Sequence, residues 1–259
     1  MTMDRPGAWH TALGAVSDMI QGFRDVPRPY VVVLVVMALT EFIILPYSLD
    51  PQAEVSPLAS FLVLGFMLIS TFLLISPYIG LVRYFLYGDM SAGFEPRGPI
   101  LRVFGWMLAL GFVSMSIFST AAVIAFLIGG TSHAIIATVT ALTFIGMIWA
   151  YLRLSTVLVA LALDGPVSIR ARFSETKGHA WFILRTLLAS CVVLIPYILV
   201  MVAVQFGVFG AESFDADVIP TPSLGQRLLD ALLTGVLGTA YFAYLTALYV
   251  RIFRAIPAG

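Results

Sequence analysis

Few residues in this chain could do chemistry, and most of those are charged groups placed inside apolar stretches. Glu41 sits eleven residues into "YVVVLVVMALTEFIILPYS", and Asp230 and Arg227 open the last apolar stretch, "LLDALLTGVLGTAYFAYLTALYVRIF" and the residues just before it. An ionisable group at membrane depth is costly, so it marks a paired charge, a proton or ion site, or a snorkelled side chain. Glu41 is placed to pair with Arg227 or to sit protonated in lipid. The second cluster is polar and lies between apolar runs. "LALDGPVSIRARFSETKGHAWF" holds Arg170, Arg172 and Lys177, with Phe173 between them. Its spacing puts Ile169 and Phe173 on one stripe and Arg170, Ser174 and Lys177 on the next. That arrangement suits a short helix at the inner leaflet, with Phe173 in the acyl region and the cations at lipid phosphates. The plainer reading is a connector whose charges only set topology. Gly165-Pro166 would start this helix and Gly178 would stop it.

Other chemistry is poorly represented. The three histidines, His10, His133 and His179, fall on opposite sides of the expected membrane and cannot share a metal. There is no HExxH, Gly-x-Ser-x-Gly or Walker A pattern. Cys191 is alone, which excludes an internal disulfide, and it reads as a small buried hydrophobe. No catalytic constellation, metal site or cofactor is expected.

The elements that must carry these residues are membrane helices. Hydrophobic residues make up 60% of the 259 and charged residues 11%, against about 25% charged in a soluble domain. The net charge is zero, so no nucleic-acid partner is expected. Six apolar stretches are long enough to span: Tyr30 to Tyr47, Pro57 to Tyr87, Ile100 to Ile128, His133 to Leu163, Ala180 to Phe209 and Leu228 to Phe253. They are apolar all round, and in lipid the backbone must be satisfied within each segment, so they are helices. Placing the N-terminus inside puts every Arg and Lys except Arg227 on the inner side, 13 against 1, while Asp50, Glu54, Glu212, Asp215 and Asp217 fall outside. That is the positive-inside pattern. The second and fourth stretches are too long for a ~30 Å core and must tilt, kink or project. Pro77 and Pro196 are candidate kinks.

Ahead of the spans, Ala8 to Phe23 reads as an amphipathic helix with Ala12, Val16, Ile20 and Phe23 on its apolar face, lying on the inner leaflet. Met1 to Tyr30 lacks a signal-peptide pattern. Residues 1–29 are therefore read as a cytoplasmic amphipathic segment and 30–255 as the bundle of one integral membrane domain. In the last span Ala231, Gly235, Thr239, Ala243 and Ala247 place a small residue at every fourth position. Such a stripe lets another backbone approach closely, within the bundle or in a second copy.

"YLRLSTVLVALALDGPVSIRARFSETKGHAWFILR" adds a resemblance. Arg153, Asp164, Gly165, Thr176, Lys177, Gly178 and Trp181, with the closing "LTALYVRIFR", resemble a pattern in uncharacterised bacterial six-helix integral membrane proteins. These are related to the membrane domain fused to some glycerophosphodiester phosphodiesterases. The resemblance covers the fourth to sixth spans. Phe173 stands where the pattern has a tryptophan, and no phosphodiesterase domain is present. It implies a six-helix fold in a bacterial cytoplasmic membrane and no particular activity.

The sequence thus points to an all-α, polytopic bundle of six transmembrane helices, with an N-terminal amphipathic helix, a short interfacial helix and both termini cytoplasmic. Its expected role is non-enzymatic: binding membrane lipids or a membrane-protein partner, in a homo-oligomer or a larger membrane complex. The competing role is a small-solute or proton-coupled transporter using Glu41. A reporter fused at Gly259 should read as cytoplasmic and one inserted within residues 212–217 should not. A cytoplasmic signal from the second site contradicts this topology.

Overall fold

The computed structural model describes residues 7–48, 57–90, 99–129, 133–154, 156–163, 171, 174–209 and 223–256. Among these residues the secondary structure is helical throughout, with no strand: α1 Ala8–Asp25, α2 Pro27–Ser48, α3 Pro57–Tyr87, α4 Pro99–Gly129, α5 His133–Leu154, α6 Val157–Ala162, α7 Ala180–Val193, α8 Ile195–Phe209 and α9 Leu224–Ala255. Arg170, Arg172, Phe173 and Gly165-Pro166 lie outside the described residues, as do the acidic connectors Asp50, Glu54, Glu212, Asp215 and Asp217.

The helix boundaries follow local chemistry. α1 stops at Val26, the residue before Pro27, where α-helical geometry is disfavoured. α2 starts on that proline, whose missing N–H costs nothing in a first turn. α9 starts with a capping box: Ser223 Oγ accepts from the Gln226 N–H at 3.3 Å, and Gln226 Oε1 accepts from the Ser223 N–H at 2.9 Å. The fifth expected span is two helices, α7 and α8, that meet at Leu194, just before Pro196, which has no N–H to continue the ladder. α3, in contrast, continues through Pro77.

Five helices are long and apolar enough to cross a bilayer, over Pro27–Ile44, Ser60–Tyr87, Pro99–Ala125, Ala180–Val204 and Leu224–Ala255. This is the build of a multi-pass membrane protein. The expected fourth span differs from the sequence reading. His133 to Leu163 is not one long helix; α5 ends at Leu154 and α6 resumes at Val157 as a separate six-residue helix, nearly all of it buried. Its strongly apolar part within the described residues is the shorter Ala137–Met147. The overlong helix is therefore resolved by breaking.

α9 is the spine. It packs most extensively on α2 and also touches α1, α3, α6 and α8. The stripe read from the sequence explains why. Ala231, Gly235, Thr239, Ala243 and Ala247 are all buried inside the chain. At Gly235 an added Cβ would stand 2.9 Å from the Ala38 Cβ and 3.1 Å from the Leu34 carbonyl oxygen. The stripe is thus spent within the bundle and is not offered to a second copy. At 32 residues and 1.5 Å each, α9 runs about 48 Å, well beyond a ~30 Å apolar core. The Gly235–Leu34 register makes it outrun the start of α2 by roughly three turns.

The buried core gathers at that projecting end, where α1, α7 and the ends of α2, α3, α4 and α9 meet around Tyr30, Leu81, Phe85, Ile183, Leu248 and Ile252. Away from it the helices present large apolar side chains outward, such as Phe61, Phe112, Leu127, Leu142 and Leu199. A surface of that kind is stable only against hydrocarbon.

Gly235→Ala should destabilise the protein by about 1–3 kcal/mol, the usual cost of overpacking against a backbone that cannot give. Gly111, on the exposed side of α4 with open space around its Cβ position, is the control. Gly111→Ala should be neutral or stabilising by up to ~1 kcal/mol. Thermal unfolding in one detergent compares the two, and equal melting temperatures would contradict the close α2–α9 contact.

Candidate lipid-binding groove

α1 has three faces. Thr11, Ala12, Ala15 and Gly22 are buried against the bundle. His10, Ser17, Gln21 and Arg24 are polar. Trp9, Leu13, Ile20 and Phe23 are large, apolar and exposed. The apolar face expected as Ala12, Val16, Ile20 and Phe23 is therefore divided. Ala12 and Val16 pack toward protein, while Ile20 and Phe23 turn outward, where acyl chains can take them. α1 is a docked part of the bundle and also retains the outward face of an interfacial helix.

Its docking is polar and specific. Arg251, on the projecting end of α9, donates from Nε to Asp18 Oδ2 at 2.5 Å and from Nη2 to Asp18 Oδ1 at 2.7 Å. This is a bidentate pair, the strong geometry for a guanidinium and a carboxylate. Gly14 makes room for it, since a Cβ there would stand 2.1 Å from Arg251 Nη1. Tyr84 on α3 donates to Asp25 Oδ2 at 2.5 Å, and Tyr30 on α2 donates to the Met19 carbonyl at 2.8 Å. Arg254 Nη2 donates to the Leu86 carbonyl at 2.5 Å. Bonds from α2, α3 and α9 thus hold the underside of α1, and α7 packs against it as well.

Where the last turns of α1 overhang the α2–α9 seam, a groove of about 560 Å³ opens. Met19, Ile20, Phe23 and Arg24 come from α1, Tyr30, Val31 and Leu34 from α2, and Val236, Thr239 and Ala240 from α9. Its size falls within the ~300–1,000 Å³ of ordinary small-molecule sites. The lining is apolar with two exceptions at the α1 end, Arg24 and the Tyr30 hydroxyl. The Thr239 hydroxyl is turned away to its own helix, donating to the Gly235 carbonyl at 2.7 Å. The Phe23 and Tyr30 rings stand edge to face, 5.5 Å apart. The arrangement can hold a hydrocarbon chain along the seam with a polar head beside α1.

The intramembrane acids converge at the opposite end. Glu41 is half-buried on α2 and Asp230 is fully buried on α9, within electrostatic range of one another. Arg227 donates from Nη2 to the Phe42 carbonyl at 3.2 Å and lies over the Phe42 ring, 4.9 Å from its centre. Nearby, the Thr40 hydroxyl donates to the Val36 carbonyl at 2.7 Å and shares a 2.9 Å hydrogen bond with the Ser70 hydroxyl on α3. Between this cluster and the groove, α2 presents Val33, Leu34 and Val36 and α9 presents Gly235, with the buried hydroxyl of Thr234 beside it.

The remaining expected residues are dispersed. Lys177 is exposed in the turn before α7. Gly178 does not adopt the left-handed conformation of a helix stop; among the described glycines only Gly88 does, at φ 69°. Cys191 is exposed on α7 and is not a core residue. Trp181 and Arg185 form an exposed cation–π pair at 4.9 Å. His179 is buried at the start of α7, and no group of three metal-ligand side chains occurs among the described residues. In the sequence Arg24 reads as an inner charge and as a polar group flanking the apolar face of α1, and the groove is not visible there, since its walls come from three distant segments. Compared with known protein families, curated proteins and solved structures, the chain has no match.

Proposed function

We propose that this is a six-span protein of the bacterial cytoplasmic membrane, with both termini cytoplasmic, that acts without catalysis by binding lipid, in an accessory or scaffolding role beside other membrane components. The observation that carries the reading is the groove at the α1–α2–α9 junction: apolar along its length, cationic at one end, and placed where an amphipathic helix meets the membrane. The 13-to-1 distribution of basic residues supports the orientation. The packed end carrying Arg24, Arg83, Arg102, Arg251 and Arg254 is then the cytoplasmic one. α5 supports the sixth span, because its 22 residues at 1.5 Å each make about 33 Å, enough to cross a ~30 Å core. The sequence resemblance to bacterial six-helix membrane proteins agrees with the same location.

The proximity of Glu41 and Asp230 favours a second reading, a proton-coupled or small-solute transporter. It is the weaker one, because transport needs polar groups along the whole route, and between Thr40 and the groove α2 supplies Val33, Leu34 and Val36.

Val236 lines the groove and is half exposed, so Val236→Trp should fill the groove without disturbing the buried stripe beside it. The variant should retain less lipid than the parent in native mass spectrometry after identical detergent extraction, with the melting temperature little changed. Undiminished lipid retention contradicts binding in the groove.

A further inference from the structure

Building on the lipid-binding reading, we infer that the groove selects lipids with an acidic head, and that Arg24 holds the acid while the acyl chain lies along Val31, Leu34, Val236 and Ala240. Charge at the groove's α1 end favours an anion. Two carboxylates on α1 could oppose an anion there, and neither lines the groove. Asp18 is held by two hydrogen bonds from Arg251, and Asp25 accepts from Tyr84. Arg251 is itself consumed by Asp18, and Arg254 is bonded to the Leu86 carbonyl. Arg24 makes no ion pair among the described residues, is exposed, and is the one charged residue lining the groove. Arg28, the next cation along the chain, does not line it.

The neutral donor beside Arg24 is also spent, since the Tyr30 hydroxyl already donates to the Met19 carbonyl. A head that offers only hydrogen-bond acceptors without charge finds little to bind. A zwitterionic head brings an ammonium to a groove lined by a guanidinium and by no carboxylate. A phosphate or carboxylate head meets a guanidinium with no competing partner, at the end of an apolar channel. Arg matches these anions bidentately, where lysine would act only as a point charge. The guanidinium can reach the headgroup level while its stem lies along apolar surface.

The direct test places the full chain in phosphatidylcholine nanodiscs and titrates two spin-labelled lipids with identical chains, phosphatidylglycerol and phosphatidylcholine. The motionally restricted signal reports binding. The parent should prefer phosphatidylglycerol, and Arg24→Gln should reduce that preference about fivefold, which is one basic residue's ~1 kcal/mol at an anionic surface converted at 1.4 kcal/mol per tenfold. Arg24→Lys should retain part of it. Arg185→Gln, which removes an exposed cation outside the groove, should leave it unchanged, and soluble glycerol phosphate should not compete. The inference is overturned if Arg24→Gln keeps the preference, if it weakens both lipids equally, or if Arg185→Gln has the same effect as Arg24→Gln. Val236→Trp separates the two levels of the account. If it abolishes binding of both lipids while Arg24→Gln changes nothing, the groove binds lipid without reading charge. If it leaves binding of both lipids intact, the groove is not the site at all.

Discussion

The contact between the α2 backbone and the small-residue face of α9 is the constraint on which the rest of this structure depends. Inside a bilayer two apolar helices gain nothing by hiding from hydrocarbon, so they associate through close packing. Gly235 permits that packing, with the Leu34 carbonyl and the Ala38 side chain pressed against the space a side chain would need. The same contact fixes the register of the pair. Register in turn decides that α9 overshoots α2 at one end, and the overshoot gives α1 a wall to dock on.

Docking at that wall needs polar groups because it takes place at the edge of the apolar layer. The Asp18–Arg251 pair is about a quarter exposed on each side, so its strength lies below that of a fully buried pair and above that of a free surface pair. Gly14 and Gly22 bring α1 close enough for the pair and for Tyr30 to form their bonds. The groove is a consequence of these contacts. It is the space left where a helix held from one side overhangs a seam that continues into the membrane.

The sequence made some of this legible. Helical identity, the apolar spans and the one-sided distribution of arginine all follow from local composition. The stripe from Ala231 to Ala247 was visible because its spacing repeats every four residues, although spacing alone could not say whether α2 or a second copy would cover it. Pro196 marked the division of α7 from α8. The break near Thr156 was visible only as excess length. On α1 the periodicity identified an apolar face but could not separate residues facing protein from residues facing lipid, since both neighbours are apolar. Ala12, Ala15 and Gly22 turn inward with Val16 and Met19 beside them, and Trp9, Leu13, Ile20 and Phe23 turn outward. Asp18 and Arg251 are separated by 233 positions, and the groove draws on three such distant segments, so neither left a local signal. The sequence places Glu41 to pair with Arg227 or to sit protonated in lipid; Arg227 turns instead to the Phe42 carbonyl and ring.

The account stands or falls on α1 being fastened to α9. The direct measurement is the distance distribution between one spin label at Ser17, on the outer polar face of α1, and another at Arg254, by pulsed electron resonance in nanodiscs after Cys191→Ser. Docked α1 predicts a single narrow distribution, broadened by Arg251→Gln and narrowed again when Asp18→Arg is combined with Arg251→Asp. A broad distribution in the parent, unchanged by Arg251→Gln, would mean that α1 lies free on the membrane and that the groove has no roof.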